Sequence, residues 1–193
     1  MAINLANNNS LANITALPSS VSGGGMTLIS EQTASSSANL SFTSGIDDTY
    51  DSYVFKFINI HPQTQSNFSF QVDTGTNTNY NQTITSTSFY AEHSEGNSSS
   101  LSYFASTDQA QGTAFQMISH DPGTDNDSNS SGTLTIFNPS NTTFVKHFIG
   151  DFNCTNGSAT SHRNFVAGYV NTPTALTRVQ FKFASGNIDS GVI

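Results

Sequence analysis

Tyr50-Asp51-Ser52-Tyr53-Val54-Phe55-Lys56-Phe57-Ile58-Asn59-Ile60 carries more β-branched and aromatic side chain, uninterrupted by Gly or Pro, than any other part of the chain. At the two-residue period of a strand, Tyr53, Phe55 and Phe57 fall on one face, and Val54, Ile58 and Ile60 fall on the other beside Lys56. The stretch therefore predicts a central strand with both faces largely covered, not an edge. The His61-Pro62 step ends it, because proline brings no amide donor to a ladder and biases the residue before it to an extended conformation.

Outward from this strand the same signals recur. Residues 26–30 and 40–42 precede it, and Asp47-Asp48-Thr49 supplies the turn that leads in. After it, Phe68, Phe70 and Val72 alternate with Ser69 and Gln71, which predicts a half-buried strand. Residues 82–90 are more polar and suit an exposed or intersubunit sheet. Residues 101–105, 114–119, 133–137, 143–149, 165–170 and 178–183 follow. The last has the cleanest alternation, with Val179, Phe181 and Phe183 inward and Arg178, Gln180 and Lys182 outward. About ten or eleven short strands with turn residues between them, no helix and no internal repeat predict an all-β fold: an antiparallel, jelly-roll-like β-sandwich. Residues 26–193 form this body. Residues 1–25, where isolated Ile and Leu are set among Asn and Ser before Gly23-Gly24-Gly25, read as an extended N-terminal attachment arm with a glycine hinge.

The composition agrees. The chain of 193 residues has 30 Ser, 24 Thr and 21 Asn, only 9% charged residues, 15 Phe and no Trp, as expected of many short strands joined by polar turns. A formal charge of −8, from 13 acidic against 5 basic residues, lacks the Lys/Arg footprint of a nucleic-acid binder and would be repelled by an anionic membrane surface. No apolar run is long enough for a membrane span, and the first residues lack a signal peptide's basic and apolar regions, so no membrane insertion and no export are expected. Cys154 has no partner cysteine and reads as a small, semi-buried loop side chain.

Candidate chemistry is sparse, and neither a catalytic constellation nor a cofactor motif is read from the sequence. Asp125, Asp127 and Asn129 have the one-three-five spacing that starts a calcium loop. Ser130 stands where that loop needs Gly and Ile136 where it needs Glu, so only an irregular calcium site remains against a solvated acidic turn. His61, His93, His120, His147 and His162 never come in paired ligand spacing, so they read as ordinary satisfied histidines. Tyr80, Tyr90 and Tyr103 are the candidates for glycan contact, since Tyr on a sandwich rim rich in Asn and Ser can stack on and hydrogen-bond to sugars; core or subunit contact is the competing reading of each. Self-association, as a trimer, is expected from the polar but β-rich 82–90 segment and from aromatics in surplus for one small sandwich.

Three blocks carry a family resemblance. Leu28-Ile-Ser-Glu-Gln-Thr-Ala-Ser-Ser-Ser-Ala38 runs into Phe42-Thr-Ser-Gly-Ile-Asp-Asp-Thr-Tyr-Asp-Ser-Tyr-Val-Phe55. The others are Gly132-Thr-Leu-Thr-Ile-Phe-Asn-Pro-Ser-Asn-Thr-Thr-Phe-Val-Lys-His-Phe148 and Ser185-Gly-Asn-Ile-Asp-Ser-Gly191. Together they resemble a β-sandwich module of the virion structural proteins of tailed bacteriophages, marine ones especially, over residues 26–193. The resemblance implies a non-enzymatic virion appendage assembled as an oligomer in the host cytoplasm: a tail fibre or receptor-binding protein that binds other virion proteins through residues 1–25 and a host surface glycan through the body. A capsid decoration protein is the alternative, and a free carbohydrate-binding module a lesser one. Such modules run a few residues further into an aromatic-containing strand, whereas this chain stops at Val192-Ile193, so its last strand is expected to be short or completed by a neighbour.

Overall fold

The computed structural model describes residues 25–193. Twelve strands follow in chain order: β1 (Thr33–Ser37), β2 (Leu40–Phe42), β3 (Ser52–Pro62), β4 (Phe68–Thr74), β5 (Ile84–Ser94), β6 (Ser99–Tyr103), β7 (Gln116–Ser119), β8 (Ser130–Phe137), β9 (Lys146–Thr155), β10 (Thr160–Val170), β11 (Leu176–Phe183) and β12 (Ile188–Val192). They form two sheets, one of eight strands in the order β1-β12-β3-β8-β9-β10-β5-β6 and one of four in the order β2-β11-β4-β7. Every pairing is antiparallel.

The order has a simple origin. β1 pairs with β12, β2 with β11, β3 with β8 and β4 with β7, so the first four strands and four later ones make one long antiparallel ribbon. Successive ribbon rungs alternate between the two sheets, which rolls the ribbon into a jelly roll. Two hairpins, β5–β6 and β9–β10, are inserted into this ribbon and widen the larger sheet.

The core between the sheets is largely phenylalanine. Phe57 lies 4.9 Å, ring centre to ring centre, from both Phe152 and Phe181, and Phe70 lies 5.0 Å from Phe148, so rings from both sheets interlock edge to face or tilted. β11 keeps its predicted alternation, with Val179, Phe181 and Phe183 all buried.

β3 is central, between β12 and β8, but only one of its faces is covered. Tyr53, Phe55 and Phe57 point into the core, whereas Val54 and Ile58 are 42% and 55% exposed on the outer side. Ile60 leaves that outer set. The register with β8 slips between Phe57 and Ile60, and Asn59 sits at φ 52°, so a β-bulge inserts one residue and returns Ile60 to the core.

The smaller sheet departs from its expected half-burial. In β4, Ser69, Gln71 and Asp73 are buried as well as Phe68, Phe70 and Val72, because loops on either side of the β5–β6 hairpin cover its outer face. Gln71 Nε2 donates to the carbonyls of Gln82 and Ala114 at 2.9 and 3.0 Å. Asp73 accepts from Tyr80 N at 2.9 Å and from Gln82 Nε2 at 3.1 Å. Gln71 and Asp73 thus have partners for their buried polar groups, which offsets the desolvation.

Both ends of the body also differ from the reading. Residues 26–30 form no strand, and the first one is Thr33–Ser37, made wholly of Ser, Thr and Ala. β12 is short, as expected, yet it is completed within the chain by β1 and β3. Except for Gly25, the arm and hinge assigned to residues 1–25 lie outside the described residues.

Candidate functional site

Side chains on the outer face of the eight-stranded sheet line up in rows, because the registers from β8 through β9, β10 and β5 to β6 are unbroken and that of β3 with β8 holds as far as Phe57. One row reads Lys56, Thr133, Asp151, Phe165, Phe89, Tyr103 across β3, β8, β9, β10, β5 and β6. Its aromatic half is organised. The Phe89 and Phe165 rings stack at 4.7 Å with 13° between their planes, and the Arg163 guanidinium lies 4.7 Å above Phe165. Arg163 is fixed in turn by a bidentate pair with Asp151, Nε to Oδ1 at 3.0 Å and Nη2 to Oδ2 at 2.6 Å. That pairing pushes the guanidinium pKa up. Tyr103 Oη donates to Asp108 Oδ2 and anchors the end of the row.

Beside the pair is a shallow depression of about 370 Å³ lined by Ser131, Gly132, Thr133, Asp151, Asn153 and Arg163. A side chain at Gly132 would put its Cβ 2.4 Å from the Asp151 carbonyl, so the close approach of β8 and β9 here depends on glycine. Flat rings next to hydroxyl, amide, carboxylate and guanidinium groups are what a sugar ring can stack on and hydrogen-bond to.

Of the three tyrosines singled out from the sequence, only Tyr103 joins this row. Tyr90 faces the other way, stacked on His162 at 4.7 Å and edge-on to Phe104 at 4.9 Å. Tyr80 is 6% exposed, with its backbone tied to Asp73, so its ring is withdrawn from any surface ligand. Phe89, Phe165, Arg163 and Asp151 were not singled out. The signal for two of them was present: in a chain so poor in charge, Arg163 and Asp151 stand within strand-length stretches. That they meet follows only from the β9–β10 register.

The acidic turn places Asp125, Asn126 and Asp127 in solvent. Its contacts are those of a turn, with Ser128 N donating to Asp125 O at 2.9 Å, and His61 Nε2 lies 3.3 Å from the same carbonyl. Among the described residues no three His, Cys, Asp or Glu side chains converge as a metal set.

A second cluster lies between the sheets. The His120 and His162 rings are 4.7 Å apart, Phe104 packs on His120 at 4.9 Å, and Asn164 Oδ1 accepts from His120 N at 3.0 Å and meets His162 Nδ1 at 3.1 Å. Burial pushes both imidazoles below their ordinary value. Cys154, on β9 and not in a loop, donates to His120 O at 3.0 Å, and burial pushes its thiol up to about 11. At neutral pH it is a thiol and a poor nucleophile.

Where the described chain begins there is a largely apolar groove of about 560 Å³, lined among others by Leu28, Ile29, Tyr50, Val54, Ile58 and Ile193. Leu28 is 80% exposed at its rim.

Compared with protein-family models, with curated proteins and with solved structures, the chain matches nothing.

Proposed function

We propose that this chain is a structural protein of a tailed-phage virion, a tail-fibre or receptor-binding appendage whose eight-stranded sheet faces the host. One observation carries the reading. The three sequence blocks that resemble the phage module lie far apart in the chain, yet they supply β1, β12, β3, β8 and the start of β9, five consecutive neighbours in the larger sheet. Segments that assemble one continuous surface are what a shared module requires, whereas scattered similarity would have no reason to converge.

The outer row gives the surface its use. Tyr103, Phe89 and Phe165 beside the Arg163–Asp151 pair suit a glycan better than a protein core partner, since the rings offer flat area and the charged pair offers directed hydrogen bonds. Fold alone would not assign this role, because jelly rolls host many functions.

The test is location and copy number in intact particles. Gold-labelled antibody to this chain should decorate tail tips, and quantitative mass spectrometry should find a few copies per particle. Labelling spread over the head at high copy number would replace the appendage with a decoration protein. Absence from purified particles would end the virion reading altogether.

A further inference from the structure

Among the described residues the two sheets have four edges, and three of them are protected against pairing with another chain. β7 is buried at all four residues. β2 has only three residues, and Gln32 Nε2 occupies its Ser41 carbonyl at 2.8 Å. β1 is disturbed by Ser36 at φ 48°. The fourth edge, β6, has none of these devices. All five residues of Ser99-Ser100-Leu101-Ser102-Tyr103 are exposed, with Leu101 at 71%, and the strand contains no Pro, no charge and no left-handed residue. Such an edge is a template for an added strand.

The direction of its free backbone groups follows from the β5–β6 ladder. Ser94 N donates to Ser98 O and Phe104 N donates to Ser88 O, both at 2.8 Å, and the register between them is unbroken. Bonded and non-bonded pairs alternate along an antiparallel ladder, so Ser100 and Ser102 bond to β5 while Ser99, Leu101 and Tyr103 turn their N–H and C=O groups to the open edge. This pattern is its own complement. About a twofold axis through Leu101, Leu101 meets Leu101 of a second copy and Ser99 meets Tyr103, so that every one of those groups finds a partner.

We infer that β6 is a homodimer interface in which two copies join edge to edge into one continuous sixteen-stranded sheet. The sequence of β6 favours a second copy over a foreign peptide. No charge opposes its like across the axis, and the nearest carboxylates, Glu92 and Asp108, are already held by Ser100 and Tyr103. The two outer aromatic rows then lie on one broad face, doubling the surface offered to a repeated ligand. The inference is independent of the virion role, and it takes a dimer in place of the trimer expected from the sequence.

Light scattering of the full chain at tens of micromolar should give twice the protomer mass. Leu101→Pro removes a donor that faces only the second copy, so it should halve the mass and leave the circular dichroism and melting temperature unchanged. Should that variant fail to fold, Leu101→Lys decides, since it places like charges on the axis and must also give a monomer. Leu101→Cys should cross-link to a dimer under mild oxidation, because bonded pairs across antiparallel strands lie within disulfide reach and Cys154 is buried. A wild-type monomer, a trimer, or a dimer that survives both Leu101→Pro and Leu101→Lys overturns the inference.

Discussion

Phe57 shows most directly how one side chain holds both sheets. It stands on the larger sheet, touches Phe68 and Phe181 of the smaller one and Phe152 of its own, and is almost fully buried. Truncating it leaves a cavity among rings that cannot collapse together, so Phe57→Ala should lower stability by about 3–5 kcal/mol in urea unfolding. A loss below about 1 kcal/mol would mean that the site relaxes or is not core. The histidine pair makes a second residue-scale prediction. Burial lowers both folded pKa values, and the neighbouring His120 ring lowers that of His162 further; Asp121 and Glu92 oppose this at His120, and the Asn164 hydrogen bond and Glu92 oppose it at His162, only in part. The unfolded chain therefore takes up protons first as pH falls. The stability from the neutral pair is complete above the ordinary histidine value near 6.5 and declines as pH drops from there toward the depressed folded values. The melting temperature should fall between pH 7 and pH 5, and less steeply in the His120→Gln, His162→Gln double variant. Equal slopes would assign the acid sensitivity to carboxylates.

At the scale of the element, β3 shows what the pattern could and could not reveal. Its odd-numbered aromatics identified the core face, since a period of two survives as long as the strand is regular. Ile60 has the wrong parity for that face and still lies in the core, because the bulge at Ile58–Asn59 shifts the phase. Nothing in a periodicity count marks such an insertion, although Asn, which tolerates left-handed backbone, was the local hint. Asn59→Val should cost about 1–2 kcal/mol for forcing a β-branched residue to positive φ, and Asn59→Gly should cost far less. Similar losses in both would tie the effect to the side chain, whereas the contact seen here is made by the backbone, from Asn59 N to Ser131 Oγ at 3.1 Å. β1 was missed for a related reason. Thr33-Ala-Ser-Ser-Ser37 has little intrinsic strand preference, and the ladder with β12, a partner more than 150 residues away, makes it a strand. The exposed apolar run at 26–30 misled in the opposite direction.

For the whole molecule, the sandwich was legible because its phenylalanines come in strand-length clusters, whereas the ribbon order was not, since pairing β1 with β12 and β3 with β8 leaves no mark on either partner alone. The candidate site shared that fate. Tyr103 could be named from its type, but its alignment with Phe89, Phe165 and Asp151 is a product of three registers. The closing contacts of the fold also define what the body needs. Backbone bonds between Gln32 and Ile193, 2.9 and 3.0 Å, join the two ends of the ribbon, and β1 starts immediately after. Among the described residues, every strand pairing therefore lies within 33–193 and no core side chain precedes Ala34. A chain beginning at Gly25 keeps every strand pairing and core cluster of the described residues, so it should fold to the same sandwich and melt within about 2 °C of the full chain. Differential scanning calorimetry of the two forms at equal concentration checks this. A much lower melting temperature for the shorter chain would make residues 1–24 part of the sandwich's stability. An unchanged one, together with loss of incorporation into particles, would support the attachment role proposed for that segment.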